Sequence, residues 1–375
     1  MEKFDDIRPY YDSELPAAMR RIVASDVFPW LAGYVFPGKP YDEVKRLLLG
    51  LDNVADFQRK VMVPVNEQVI QRSISRFSYS GVEHVDRMAN HLFVANHRDI
   101  MLDASLVQYV LVQNGYDTSE ITFGANLMQD PVVVDIGKSN KMFRVERGGS
   151  MRDFYMSSRH LSEYIRHCIT VKHQSVWIAQ RNGRTKDGND TTDQGVVKMF
   201  TLSYPDDKIR ALDDLHILPI CISYEWEPCD DTKAVEIYTS RSTRYIKHPG
   251  EDLHSIMAGI SEPKGGVHIA FCPPVTHQEL MQFNDLTASE YNRAVARLID
   301  AKILSAYRLY PNNYIAHDLR YAQQRYSDRY TPQQREAFIR HMQRRLSPFD
   351  VEQPEVLRDI FLGIYSNPVQ NKRKI

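Results

Sequence analysis

Between about residue 90 and residue 275 the chain alternates short apolar, β-prone runs with stretches of helical length. The runs are HLFVA (91–95), ITFGA (121–125), MFRVE (142–146), SVWIAQ (175–180), ILPICISYEW (217–226) and VHIAFC (267–272). Helices are expected at about 100–114, 150–172, 193–203 and 241–259, the second opened by the capping-box pair Ser150 and Asp153. Strands that alternate with helices form βαβ units, so the expected fold is α/β: a mixed, largely parallel sheet flanked by helices. Right-handed crossovers bring the C-terminal ends of parallel strands to one edge, and the loops there should form the site.

The flanks are read as helical. Asp12 and Ser13 can cap a helix with Pro16 near its start and Leu15, Met19, Ile22 and Val23 at helical spacing. Thr331, Pro332 and Gln334 supply an N-cap, an N1 proline and an N3 partner for a late helix, whereas the polar, basic tail NPVQNKRKI should fray. The expected organisation is a helical segment over 1–84, an α/β core over 85–275 and a helical C-terminal layer over 276–375.

Lys plus Arg number 47 against 48 Asp plus Glu, a balance that argues against bulk nucleic-acid affinity. The four cysteines (168, 221, 229 and 272) contain no C-x-x-C pair, so buried reduced thiols are expected rather than a zinc or redox site. No metal ligand set is expected: His160, His167 and His173 do not fall on one helix face. The opening MEKFDDIRPYYDSE is acidic and does not read as a signal peptide, and no apolar run approaches the roughly 20 residues a spanning helix needs. A cytoplasmic chain is expected, with peripheral membrane attachment left open.

Four stretches carry chemistry. In FVANHRDIMLDASL (93–106) His97 stands where a strand ends and a helix begins, with Asp99 a cap candidate and Asp103 inside the helix. A histidine held by a carboxylate suits proton removal from a hydroxyl. In KSNKMFRVERGGS (138–150) Lys138, Lys141, Arg144 and Arg147 crowd a short strand before a glycine-opened helix, a pattern that suits phosphate. SVWIAQRNGRTKDGND (175–190) repeats that logic with Arg181, Gly183, Arg184, Lys186 and Gly188. In ILPICISYEW, Pro219 suggests an edge strand or a bulge. The chain lacks a G-x-S-x-G elbow, a Walker loop and a G-x-G-x-x-G turn, and the kinase-like His97-Arg98-Asp99 string has Ala104 where asparagine is required.

In this order the four stretches resemble the glycerolipid acyltransferase superfamily, the PlsC-like 1-acylglycerol-3-phosphate acyltransferases, over about residues 85–275. Asn96, His97 and Asp103 are similar to the first block, with five intervening residues where the family has four, so that Asp99 stays open as the histidine's partner. Arg147 closes the second block. Gly183 and Arg184 match the third, with Asn182 where an acid is usual, and Pro219 matches the fourth.

The resemblance implies acyl transfer without a covalent enzyme intermediate. His97, oriented by Asp103, would deprotonate the acceptor, and the alkoxide would attack an acyl-CoA or acyl carrier protein thioester, with no cofactor. Backbone N–H groups near Gly183 would meet the oxyanion. Arg147 and Arg184, with Lys186, would hold the acceptor's phosphate. The substrate-binding candidates are Asn96, Arg98, Arg144, Arg147, Gly183, Arg184 and Lys186.

The implied partners are the acyl thioester donor, with or without its carrier protein, a lysophospholipid acceptor and the inner face of the cytoplasmic membrane; nucleic acid is not expected. FPWLAGYVF (28–36) reads as an interfacial patch or as helix-packing core, and Lys372, Arg373 and Lys374 as a weak attraction to anionic lipid. The expected reaction converts 1-acyl-sn-glycerol-3-phosphate to phosphatidate. The alternatives are O-acylation of a glycine or ornithine lipid, and a lipid-binding relative without catalysis.

Overall fold

Leu92–Ala95 is buried at every residue, which only an interior strand of a covered sheet allows. In the computed structural model, which describes residues 3–146, 148–248 and 250–374, this strand is β2 of seven. The others are β1 (Ile74–Ser80), β3 (Glu120–Gly124), β4 (Met142–Val145), β5 (Val176–Ala179), β6 (Leu218–Tyr224) and β7 (Gly265–Phe271). The order across the sheet is β1-β7-β6-β2-β5-β3-β4. Only the β6–β7 pair is antiparallel. The fold is therefore α/β, a mixed and largely parallel sheet flanked by helices.

Alternate residues of the strands feed opposite layers. Leu92, Val94, Val176 and Ile178 pack against Tyr164, Phe200, Tyr291 and Ile299 of the helices on one face. Phe93, Ala95, Trp177 and Ile220 pack with Leu106 and Val110 of the helix Leu102–Gln113 on the other. All four cysteines are buried and unpaired.

The stretch 1–84 is not helical throughout, because β1 lies at its end and pairs with β7. Its sequence, ISRFSYS, shows no apolar run, since an edge strand buries little of either face. Pro219 is in the interior strand β6 and not on an edge. It is tolerated because the antiparallel register with β7 starts one residue later, at Ile220, and only its carbonyl is used, by the Cys272 N–H at 2.9 Å. The helices Pro131–Ser139, Lys208–Asp213 and Asp230–Ser240 were not legible, and the helix expected at 241–259 forms at Glu251–Ser261.

The C-terminal tail is helical as far as Lys372. The helix Pro354–Lys372 carries NPVQNK to its end and buries Pro368 and Val369. Lys372 donates to the carbonyls of Ser305 and Tyr307 at 2.9 and 2.6 Å, so it is engaged within the fold. The same helix braces the loop after β5. Asn367 donates to the Asp187 carbonyl at 2.7 Å and Asn371 to Asn189 at 2.9 Å. The two backbones nearly touch at Gly188, where a Cβ would stand 2.2 Å from the Ile364 carbonyl oxygen.

Gly188 also has φ +78. Gly188→Ala is therefore expected to cost about 2–5 kcal/mol, from a left-handed residue plus a backbone collision. Gly183 has φ +76 but open space around it, so Gly183→Ala should cost only about 1–2 kcal/mol. Denaturant unfolding of the two variants measures the difference, and equal losses would mean that the contact with Ile364 yields without strain.

Candidate active site

β2 and β5 are neighbours and parallel, so the loops that leave them lie side by side. The Gln180 N–H reaches the Ala95 carbonyl at 2.8 Å, and the Thr185 N–H reaches the His97 carbonyl at 2.6 Å. The backbone thus places Arg184 next to His97.

Residues 96–101 form a turn before the helix Leu102–Gln113, and that turn wraps around Asp103. One carboxylate oxygen accepts the backbone N–H of Arg98 at 2.5 Å, that of Asp99 at 2.9 Å and the His97 Nδ1 at 2.9 Å. The other oxygen accepts the Tyr224 hydroxyl at 2.8 Å. Burial, and then the facing Asp103 charge, push the Tyr224 hydroxyl well up, which keeps it a donor. Asp103 accepts all four of these bonds, so Nδ1 is the donor to it, and in the neutral ring Nε2 holds the lone pair. The His97 ring retains 11% of its side-chain surface and meets Trp177 edge-on, with centroids 5.8 Å apart.

The turn also settles which acid faces the ring. Asp99 points away and accepts the backbone N–H groups of Met101 and Leu102 at 2.9 and 2.8 Å. Its other oxygen is buried without a partner. Burial, with the adjacent Asp103 charge, raises its carboxyl above the usual carboxylate range.

The anion-binding candidates divide. Arg184 donates to Ser255 Oγ at 3.3 Å through Nη2, while Nη1 is buried and has no hydrogen-bond partner. Lys186 is held by Glu236. Arg98, expected to touch substrate, is instead buried: its guanidinium binds Asp190 through Nε at 3.0 Å and Nη2 at 2.6 Å, and Glu227 at 3.1 Å. Lys233 completes the network, donating to Glu227 at 2.6 Å and to the Arg98 carbonyl at 2.7 Å. Asn96, also expected to touch substrate, is fully buried and hydrogen-bonded within the protein. It clamps β6 by accepting from the Ile222 N–H at 2.7 Å and donating to the Ile222 carbonyl at 3.0 Å. Arg144 lies on the edge strand β4, paired with Glu146 at 2.6 Å and three strands, about 14 Å, from β2. Arg147 falls outside the described residues.

Among the described residues, seven buried side-chain polar atoms lack a partner. Four of them, on Asp99, Gln180, Arg184 and Thr185, belong to the loops that leave β2 and β5, and a fifth, on Trp177, belongs to β5 itself. Buried polar groups are ordinarily paired, so these loops offer donors and acceptors to water or to a polar ligand.

The helix Glu251–Ser261 packs on these loops, with the position of a Gly259 Cβ 2.3 Å from Asp99 Oδ2. Buried Lys264 follows it. Burial lowers the Lys264 amine to about 8, against the opposing pull of Asp99 and Glu262. The folded value lies below the ordinary value of 10.5, so charging this amine costs stability as pH falls through that window, and the full cost is present below about pH 8. Lys264→Met should therefore gain about 2–3 kcal/mol at pH 7 and nothing near pH 11, read from thermal unfolding across pH. A gain independent of pH would rule out the charge as its cause.

Tyr224, Ser255, Lys264 and the Asp190–Glu227–Lys233 network were not anticipated. Each is remote in sequence from His97, and no local pattern marks it.

The fold and site define an α/β protein with a carboxylate-held histidine beside a partly unsatisfied arginine at adjacent strand ends. No protein-family pattern matches the chain. No curated protein matches it either. Among solved structures it is similar to the 1-acyl-sn-glycerophosphate (LPA) acyltransferase PlsC from Thermotoga maritima, with 14% identity, 76% of this chain and 93% of that chain covered, and a TM-score of 0.35. Among the described residues, no helix is long and apolar enough to cross a membrane.

Proposed function

We propose that the chain is an O-acyltransferase that moves an acyl group from a thioester to the hydroxyl of a lysophospholipid, with lysophosphatidate the first acceptor to try. The supporting observation is the His97–Asp103 pair, 2.9 Å apart, next to the loop that carries Arg184, whose Nη1 is buried and unpartnered. His97 Nε2 takes the hydroxyl proton as the oxygen attacks the thioester carbonyl. The C–S bond then breaks, and the thiolate leaves with that proton. Such base catalysis contributes about 10²–10⁴-fold. Arg184 holds the acceptor's phosphate, and Asp103 fixes the ring.

The test is an acceptor screen with purified protein, acyl-CoA and either lysophosphatidate or a lyso-glycine lipid. Phosphatidate should appear with one free thiol per product. Arg184→Gln should raise KM for lysophosphatidate about tenfold or more, the loss of one charge-assisted contact. Transfer to the glycine lipid alone would move the assignment to amino-acid lipids, and no transfer to either acceptor would end it.

A further inference from the structure

The helix Met151–Thr170 runs into the core only from Leu161 onward, where Tyr164, Ile165 and Cys168 are buried. Its first six residues are all exposed. Four of the six are large and apolar: Met151 is 92% exposed, Phe154 55%, Tyr155 50% and Met156 55%. At 1.5 Å per residue this tip extends about 9 Å. It is a formed helix, since Ser150 and Asp153 close a reciprocal capping box on it.

Three features say what covers it. The apolar side chains cover about 200° of the helix: Met151, Phe154 and Tyr155 lie within about 100°, and Met156 lies about 100° beyond Tyr155. A protein partner covers one face, whereas a fluid apolar medium covers all of them. The chain on the tip's side of β4 is basic, with four arginines against two acids over 144–160, in a protein whose net charge is -1. Finally, the tip follows β4, which runs parallel to β3, β5 and β2, so it emerges on the same sheet edge as His97.

We infer that Met151–Met156 is a lipid-inserting tip that docks the His97 edge of the sheet onto an anionic bilayer. Its length matches the roughly 5–10 Å to which interfacial helices sink, and the basic flank is attracted to anionic headgroups. The choice of a bilayer as partner rests on the lipid-substrate reading above. Docking here presents the site to acceptors that lie in the membrane surface.

The test is co-sedimentation of the full chain with vesicles of phosphatidylcholine alone or mixed with phosphatidylglycerol. The wild type should bind the anionic vesicles more tightly, and less so as salt rises. Met151→Ser combined with Phe154→Ser should weaken that binding about tenfold or more. The unfolding midpoint should stay put, and so should turnover of a short-chain, water-soluble acceptor. His97→Ala should bind vesicles as the wild type does.

Wild-type binding by the double variant would overturn the docking. So would self-association or capture of an acidic carrier protein that the same substitutions abolish while vesicle binding persists. Loss of soluble-acceptor turnover in step with vesicle binding would assign the tip to the acceptor site and overturn it as well. Tip-dependent vesicle binding by a wild type that transfers no acyl group leaves the docking standing and removes only the enzymatic reading.

Discussion

His97→Ala is expected to lower acyl transfer about 10²–10⁴-fold, the ordinary contribution of a positioned base. The fold should survive the change. The ring makes one side-chain hydrogen bond, to Asp103, and that carboxylate keeps the Arg98 and Asp99 backbone N–H groups and the Tyr224 hydroxyl after the ring is gone. Product formation and the unfolding midpoint should be measured on the same sample. A folded variant with the wild-type rate would show that another group takes the proton, and the proposed mechanism would fall.

The second large effect separates two carboxylates four residues apart. Asp103→Asn should lower the rate about 100-fold or more and destabilise the fold by about 1–3 kcal/mol. An amide offers one acceptor oxygen where the carboxylate offers two. Three donors crowd one oxygen and Tyr224 uses the other, so an NH2 group must face a buried donor in either orientation. The His97 tautomer is then no longer imposed. Asp99→Asn should be mild, within about tenfold in rate, because an amide oxygen serves the Met101 and Leu102 N–H groups as well as Oδ1 does, and Oδ2 has no bond to lose. A larger loss for Asp99→Asn would mean that the ring changes partner during turnover.

Legibility in the sequence followed the range of the determining interaction. β2, β5 and β6 are apolar because both faces are covered, and that composition is visible without a partner. The capping boxes at Ser150 and Thr331 are likewise local. β1 was hidden because its strand character comes from β7, with Ile74 paired to Gly265. The FPWLAGYVF stretch also needed its neighbours to be read. As the helix Phe28–Val35 it turns Phe28, Ala32 and Val35 inward and leaves Trp30 half exposed.

The alternation of apolar runs with helix-length stretches determined the sheet class and placed His97 and Arg184 at strand ends, because both follow from the short-range periods of strand and helix. What each charged group does there was left to the tertiary structure. Arg98 and Arg184 look alike in sequence, yet Asp190 and Glu227 neutralise the first while the second keeps a free buried N–H. The same holds for the acids, since the partner of His97 was decided by how six residues fold between β2 and its helix and by a tyrosine 121 positions from Asp103. An ionic group's role depends on which opposite charges and donors reach it through a low-dielectric interior, and that proximity arises only when distant segments pack.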